Sequence, residues 1–311
     1  MRPAVSVIVL IYDVEQYIER CARGLFEQTL EDMEYVFVDD CTPDASMDIL
    51  ERVLDDYPVR RGQVKVLHNE SNRGQAFSRR RGVEAATGDY IIHCDSDDWP
   101  EPEMYARMYS KASEESLDMV ICSMNRVYPD HIEPMPDATH TEDLLESLLY
   151  LDIHHYLLNK LVSRSMYEAT LVWPENNMCE DTAMITQLAY HCRNWGFVED
   201  ALYNYCYYPD SISSIRRSME KVEQIRANVS LVISFLERKG LSGKYGHAIM
   251  HLKCWTKSTA FQLPRKYYLR LYPEANLPFF ADRRFTAAER LGHLTKLLGI
   301  HGISKPFAHK T

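Results

Sequence analysis

With 311 residues, 46% of them apolar, and a formal net charge of −10, the chain is long enough to bury a full core and to carry one large domain with an appendage. The acidic balance argues against general nucleic-acid binding, which needs a basic footprint, and no apolar stretch approaches the roughly 20 residues that span a bilayer. Eight scattered cysteines without metal-like pairing, in a chain whose Met1 runs straight into a predicted strand, read as reduced thiols in a cytoplasmic protein.

The first hundred residues alternate in a regular way. Val5–Ile11 is almost wholly apolar and β-branched, as a strand covered on both faces requires, and Val14, Ile18, Cys21, Leu25 and Phe26 follow at helical spacing. Residues 35–38 predict a second strand, and Pro43-Asp44 opens a helix with Met47, Leu50, Val53 and Leu54 on its inner side. A third strand at residues 64–67 precedes a Gly- and Arg-rich helix over residues 74–86, which Gly88 is expected to end. A fourth strand at residues 90–94 runs into an acidic cluster. Strand and helix alternating through short links predict a mainly parallel sheet with right-handed crossovers.

Beyond Trp99 the pattern gives a helix over residues 103–115 and a strand over residues 119–122. Residues 128–141, with three prolines, read as an ordered excursion or a mobile loop. From Ser218 onward the periodicity is helical, and Val222, Ile225, Val229, Val232, Ile233 and Leu236 form a stripe best explained as core. The last 36 residues, 276–311, hold six Lys/Arg against two acids. Those bases alternate with Phe285, Leu291, Leu294, Leu297, Leu298 and Ile300, a composition that packs on its own domain or lies on an anionic membrane.

Acids close three of the four strands: Asp13 follows the first, Asp39-Asp40 the second and Asp95-Ser96-Asp97-Asp98 the fourth. In a parallel sheet these ends share one edge, where open α/β folds place their ligands. Three carboxylates in four residues repel one another and favour a compensating cation. Oxygen-only ligands suit Mg²⁺ or Mn²⁺ shared with a substrate phosphate. The plainer reading is that each acid caps the next helix, with Asp98 capping one that begins near Trp99-Pro100. No Gly-x-Gly-x-x-Gly follows the first strand and no Gly-x-x-x-x-Gly-Lys-Ser/Thr occurs, which leaves dinucleotide and P-loop binding unsupported.

Further along, the motifs accumulate. They begin with residues 5–13, Asp39-Asp40-Cys41-Thr42-Pro43-Asp44, and Asn72-Arg73-Gly74 with Ser78-Arg79 and Gly82. Gly88-Asp89-Tyr90 through Trp99, Asn159-Lys160-Leu161, Glu180-Asp181, and Tyr203-Asn204-Tyr205 with Ser211-Ile212-Ser213 complete the series. In this order the seven segments resemble a family 2 glycosyltransferase of the GT-A fold, of the bacterial type that builds surface polysaccharides. The chain departs from that pattern at Leu10, where Pro is usual, at Asp13 (Asn), at Cys41 (Gly) and at Arg80 (Asn).

The resemblance implies an α/β GT-A domain over residues 1–215, with a nucleotide-binding half (1–99) and an acceptor half (100–215), then a helical C-terminal region (216–311). It implies that Tyr12, Asp13, Asp39, Asp40, Arg79 and Asp95 contact the nucleotide, Asp39 at the base and Asp95 at the ribose. Asp97 would bind the divalent metal, Mn²⁺ or Mg²⁺, and Asp181 would be the general base with Glu180 beside it. The implied reaction is inverting transfer from a nucleotide-diphosphate sugar, most commonly a UDP-sugar, to a glycan or lipid-linked acceptor. A homodimer and peripheral membrane contact through the basic C-terminal region stay open. So does a catalytically silent nucleotide- or glycan-binding module on the same fold. A sugar-phosphate nucleotidyltransferase would need a glycine-rich N-terminal loop that residues 5–20 lack. His154-His155 and Trp99 read as structural, His93 as a satisfied core histidine, and Trp173 as either a sugar platform or packing.

Overall fold

A computed structural model of the chain describes residues 2–137, 139–169, 171–208 and 218–300. In chain order the elements begin β1 (Val5–Ile11), α1 (Ile18–Phe26), β2 (Met33–Asp39), α2 (Ser46–Asp55), β3 (Val64–His68), α3 (Gln75–Ala85) and β4 (Tyr90–Asp95). Next come β5 (Trp99–Pro100), α4 (Met104–Glu115), β6 (Met119–Val127), β7 (Ile132–Met135), α5 (Leu144–Leu149), β8 (Lys160–Ser163) and α6 (Arg164–Tyr167). The remainder is α7 (Glu180–His191), β9 (Trp195–Cys206), α8 (Met219–Arg238), α9 (Gly246–Ser258), α10 (Arg265–Arg270), α11 (Pro278–Ala281) and α12 (Ala287–Leu298).

These elements form two interleaved compact units. The described residues of Met1–Glu142, Tyr156–Glu175 and Leu188–Ser211 make the first, and those of Asp143–His155, Asn176–Gln187 and Ile212–Thr311 the second. The division differs from a single cut at residue 215, because α5 buries Leu144, Leu145, Leu148 and Leu149 and packs on α9.

The first unit holds one sheet of nine strands in the order β3-β2-β1-β4-β8-β6-β9-β5, with β7 paired to β6. β1, β2, β3 and β4 are mutually parallel, as the alternating pattern predicts. Beyond β4 the sheet is mixed: β8 runs antiparallel to β4 and β6, and β6 is parallel to β9. The chain leaves β1 toward β2 and β3, then returns to β4 on β1's other side. That reversal creates a switch-point crevice at the carboxyl ends of β1 and β4.

Sequence dictates how tightly the layers close. A Cβ on Gly82 of α3 would lie 2.5 Å from Cγ2 of Ile8, so only glycine lets α3 sit so close to β1. Gly88 does not end α3, contrary to expectation. The helix closes at Ala86 with extended dihedrals, and Gly88 is required because a Cβ there would meet Ser6 N and Oγ at 2.7 Å. Residues 132–135 pair with β6, and Asp137 is buried and accepts from Asn159 Nδ2 at 2.7 Å, so the described part of the excursion is ordered. Trp99-Pro100 opens no helix. It forms β5, paired with Asn204 and Tyr203 of β9, and α4 starts only at Met104.

In the second unit the α8 stripe of Val222, Ile225, Val229, Val232 and Leu236 is buried, as predicted. Ser218 caps α8 through the Lys221 amide, and Thr286 and Glu289 form a capping box at the start of α12. Among the described residues no helix is long and apolar enough to cross a membrane.

Candidate functional site

The β1, β2 and β4 register brings the predicted strand-end acids together. Asp39 stands opposite Ile11 and Asp95 opposite Leu10. Tyr12 is 44% exposed at this edge, and Asp13 beyond it has φ 55°. Cys41, in the loop after β2, has φ 58°. Two departures from the family pattern thus fall on left-handed backbone, where Asn and Gly are the least strained residues. Asp tolerates that conformation almost as well as Asn, whereas Cys41 is held there by its neighbours.

Asp44 ties the two loops. Its carboxylate accepts from Thr42 Oγ1 at 2.7 Å, Ser46 Oγ at 2.7 Å and the Glu15 amide at 2.8 Å. Thr42 Oγ1 in turn accepts from the Asp13 amide at 2.9 Å. Burial pushes the Asp44 carboxyl up, but these hydrogen bonds outweigh it and hold the group down at about 2. Asp39, largely buried, accepts from the Thr42 amide at 2.8 Å and pairs with His68 Nδ1 at 2.9 Å. Asp40 is more committed: it accepts from Asn69 Nδ2 at 2.7 Å, the Arg73 amide at 2.8 Å and the Gly74 amide at 2.7 Å. Those bonds fix the turn into α3, so Asp40 shapes the edge through the loop it holds.

The three consecutive arginines of α3 part company. Arg79 is 5% exposed, and its charge, after burial itself, lowers the His93 pKa. Arg80 pairs with Glu84 at 2.8 Å, and Arg81 donates to the His68 carbonyl at 2.5 Å. His93 is a core histidine, but a half-satisfied one: Nε2 meets Tyr167 Oη at 3.3 Å, while Nδ1 has no partner among the described residues.

The acidic turn after β4 closes on itself, the Asp98 amide donating to the Asp95 carbonyl at 3.0 Å. Asp98 caps no helix; it is 1% exposed and accepts from the Cys206 amide at 2.7 Å and from Tyr203 Oη at 3.0 Å. The same Tyr203 hydroxyl accepts from the Asp95 amide at 3.0 Å. Burial pushes the Asp97 carboxyl up; burial and the charges of Asp97 and Asp95 push Asp98 well up. One cation attends the turn that sequence reading missed. Arg20 Nη2 donates to the Asp97 carbonyl at 2.7 Å and to Tyr208 Oη at 2.9 Å, with its guanidinium 4.1 Å above the Trp99 ring. Arg20 and Asp97 lie 77 residues apart, and no local spacing signals the pair.

A divalent ion fits this chemistry. The donors are carboxylate oxygens, and burial pushes the Asp97 and Asp98 carboxyls up. Among the described residues no three His, Cys, Asp or Glu side chains converge as a preformed metal cage; an ion here would be held by one or two carboxylates together with substrate phosphates.

Glu180 and Asp181 belong to the second unit and open α7, just after Cys179, whose φ is 60°. His155 Nε2 donates to the Leu148 carbonyl at 2.7 Å, so its Nδ1 accepts from Thr182 Oγ1 at 2.9 Å. This histidine is structural, as expected, and it holds the residue after Asp181. In the first unit Arg73, Phe77, Arg80, Val172, Trp173 and Glu175 line an open surface cavity of about 670 Å³, so Trp173 is at once packing and cavity wall. Ser211-Ile212-Ser213 lie outside the described residues.

Known proteins share this fold. The profile of Glycosyl transferase family 2 matches residues 6–168. The putative glycosyltransferase EpsH of Bacillus subtilis is 34% identical over 231 residues, which are 71% of this chain and 65% of that protein's length. The fold is similar to the crystal structure of S. aureus TarS 1-349 in complex with UDP-GlcNAc, with a TM-score of 0.64 and 17% identity over 96% of this chain and 92% of that one. The mannosyltransferase PcManGT from Pyrobaculum calidifontis, in complex with GDP-Man and Mn²⁺, is similar at a TM-score of 0.58 and 16% identity over 96% of this chain and 85% of its own. The chain belongs to glycosyltransferase family 2.

Proposed function

We propose that this chain is a metal-assisted, inverting glycosyltransferase. It moves a hexosyl or N-acetylhexosaminyl group from a nucleotide-diphosphate sugar to a hydroxyl of a glycan or lipid-linked oligosaccharide during synthesis of a cell-surface polysaccharide, at the cytoplasmic face of the membrane. The observation that carries this reading is the buried acidic turn at the switch point of β1 and β4, with Asp39, Asp95 and Asp97 on one edge. The nucleotide sugars bound by TarS and PcManGT support a nucleotide-sugar donor, and similarity to a putative teichuronic acid biosynthesis glycosyltransferase of Bacillus subtilis supports polysaccharide synthesis. TarS with UDP-GlcNAc favours a UDP-sugar, and PcManGT with GDP-Man and Mn²⁺ makes the GDP-sugar the alternative donor.

In this reading Tyr12, Asp13 and Asp39 face the base, Asp95 the ribose and Arg79 the donor, while Asp40 positions their edge. Asp97 holds the divalent ion. When bound, that ion supplies Lewis-acid stabilisation of the leaving diphosphate. The acceptor oxygen forms its bond to the anomeric carbon as the bond to the diphosphate oxygen breaks. The acceptor's proton passes to Asp181, with Glu180 beside it. A positioned carboxylate base contributes about 10²–10⁴-fold. Phe77 and Trp173 offer apolar walls to a saccharide in the cavity beside α3.

Asp181→Asn tests the assignment. Transfer, measured as nucleoside diphosphate release with acceptor present, falls by about 10²–10⁴-fold, while the thermal shift given by UDP with Mn²⁺ stays. A folded wild-type chain that answers to neither UDP nor GDP, with or without Mn²⁺, would instead identify a silent module and sink the enzyme.

A further inference from the structure

The apolar residues near the C-terminus separate into two groups. Phe285 is buried at 5% exposure and Leu297 is half-buried, whereas Leu291, Leu294, Leu298 and Ile300 are 47%, 40%, 62% and 49% exposed. Leu291, Leu294 and Leu298 recur at i, i+3 and i+7, one face of α12. Four of the thirteen large apolar residues exposed among the described residues fall within these ten positions. Isolated exposed leucines need no explanation, but a contiguous helical face does.

The charges around that face are unbalanced. Residues 265–300 hold seven Lys/Arg and three Asp/Glu in a chain of net charge −10. Each of the three acids is engaged internally: Glu274 with Lys253, Asp282 with His251, and Glu289 in the capping box of α12. Among the described residues only Arg284 of these seven has a carboxylate partner, Asp152. Arg265 donates to the carbonyls of Lys296 and Leu297, which fixes an exposed cation beside the end of the leucine row. Lys266, Arg270 and Arg283 have no carboxylate partner among the described residues.

We propose that the exposed face of α12 is a docking surface for an anionic lipid bilayer, with the helix lying in the interface and the cations of α10 and the α12 flanks facing lipid phosphates. An apolar row bordered by uncompensated Lys and Arg is the composition that partitions to such interfaces. A second copy of the chain would bring the same cations face to face, so charge complementarity selects the bilayer. The surface is independent of the catalytic reading, and its test needs neither donor nor acceptor.

Cosedimentation of the full chain with phosphatidylglycerol-containing vesicles and with phosphatidylcholine vesicles measures the docking. The chain binds the anionic vesicles, loses affinity as salt rises, and binds the neutral ones at least about tenfold less tightly. Leu294→Glu with Leu298→Glu weakens anionic binding by about tenfold or more, and Lys266→Glu with Arg270→Glu does the same. All four substitutions are on exposed side chains, so an unchanged melting temperature certifies the fold. Equal binding to both vesicle types, or no binding by the folded wild type, overturns the proposal. So does a lipid-free dimer in sedimentation equilibrium that Leu298→Glu converts to monomer, since the face would then belong to a second copy. Vesicle binding that appears only after removal of residues 301–311 would assign the face to that segment and overturn it equally.

Discussion

At the start of β2, Glu34 is 7% exposed, and it accepts from Ser6 Oγ at 2.5 Å, the Thr87 amide at 2.7 Å, Thr87 Oγ1 at 2.9 Å and Lys65 Nζ at 3.1 Å. At the end of β4, on the opposite edge of the same sheet, Asp98 is buried as well and Asp97 is half-buried. Burial pushes all three carboxyls up, and at Glu34 the surrounding donors reverse the effect and bring it down. At Asp97 burial outweighs a backbone hydrogen bond and the Arg20 charge, and at Asp98 the neighbouring carboxylates Asp97 and Asp95 add to it. One edge has completed its electrostatics within the protein. On the other, two carboxyls stay pushed up by burial, a cost that the proposed cation and diphosphate would relieve. Asp44 sits on the second edge but behaves like Glu34: it belongs to the loop architecture.

Neutralising a carboxylate on each edge should break the comparison in opposite directions. Asp97→Asn removes the proposed protein ligand of the ion, so transfer is expected to fall by about a thousandfold or more, several kcal/mol of lost charge stabilisation. The melting temperature of the ligand-free protein stays level or rises. A fall in that temperature would show that Asp97 is structural. Glu34→Gln gives the reverse pattern: it leaves a buried cluster of donors short of an acceptor and costs about 2–3 kcal/mol of stability, read from urea denaturation, with activity per folded molecule retained.

The acid limb of stability sharpens the contrast further. Asp44 and Glu34 both have folded pKa values depressed below their unfolded ones, so their contribution is complete above about pH 4.5 and disappears as pH falls, in the case of Asp44 through about 2. Melting temperature against pH should drop across that window, and Asp44→Asn should flatten the drop. The smallest expected effect is that of Asp13→Asn. Both residues tolerate φ near 55°, so stability should change by no more than about 0.5 kcal/mol. Nucleotide affinity should stay level or improve as one negative charge leaves the edge. A large loss of affinity would show that the Asp13 carboxylate itself grips the donor.

Much of the fold is local and was readable on that account. The almost wholly apolar run Val5–Ile11 specifies a strand buried on both faces, and the helical spacing from Ile18 to Phe26 requires only neighbouring residues. The mixed half of the sheet was less legible. β8 has four residues and β5 two, too short for a period to show, and each exists only because a distant strand offers it a ladder. Gly88 illustrates the same limit: its position suggests a helix cap, yet its reason for being glycine is Ser6, 82 residues away.

The candidate site divides along the same line. The clustering of Asp95, Asp97 and Asp98, and the acids at the ends of β1 and β2, are properties of the chain's order, because alternation of strand and helix forces those ends onto one edge. Sequence alone therefore determined where charge would gather, and the motifs in which it sits determined the family. Only the tertiary structure decided what each charge does. The donors that fill Asp40, the Tyr203 hydroxyl shared by Asp95 and Asp98, and Arg20 at the Asp97 carbonyl all arrive from segments 29 to 108 residues distant. A carboxylate's environment sums over every neighbour in space, whereas periodicity records only neighbours in sequence.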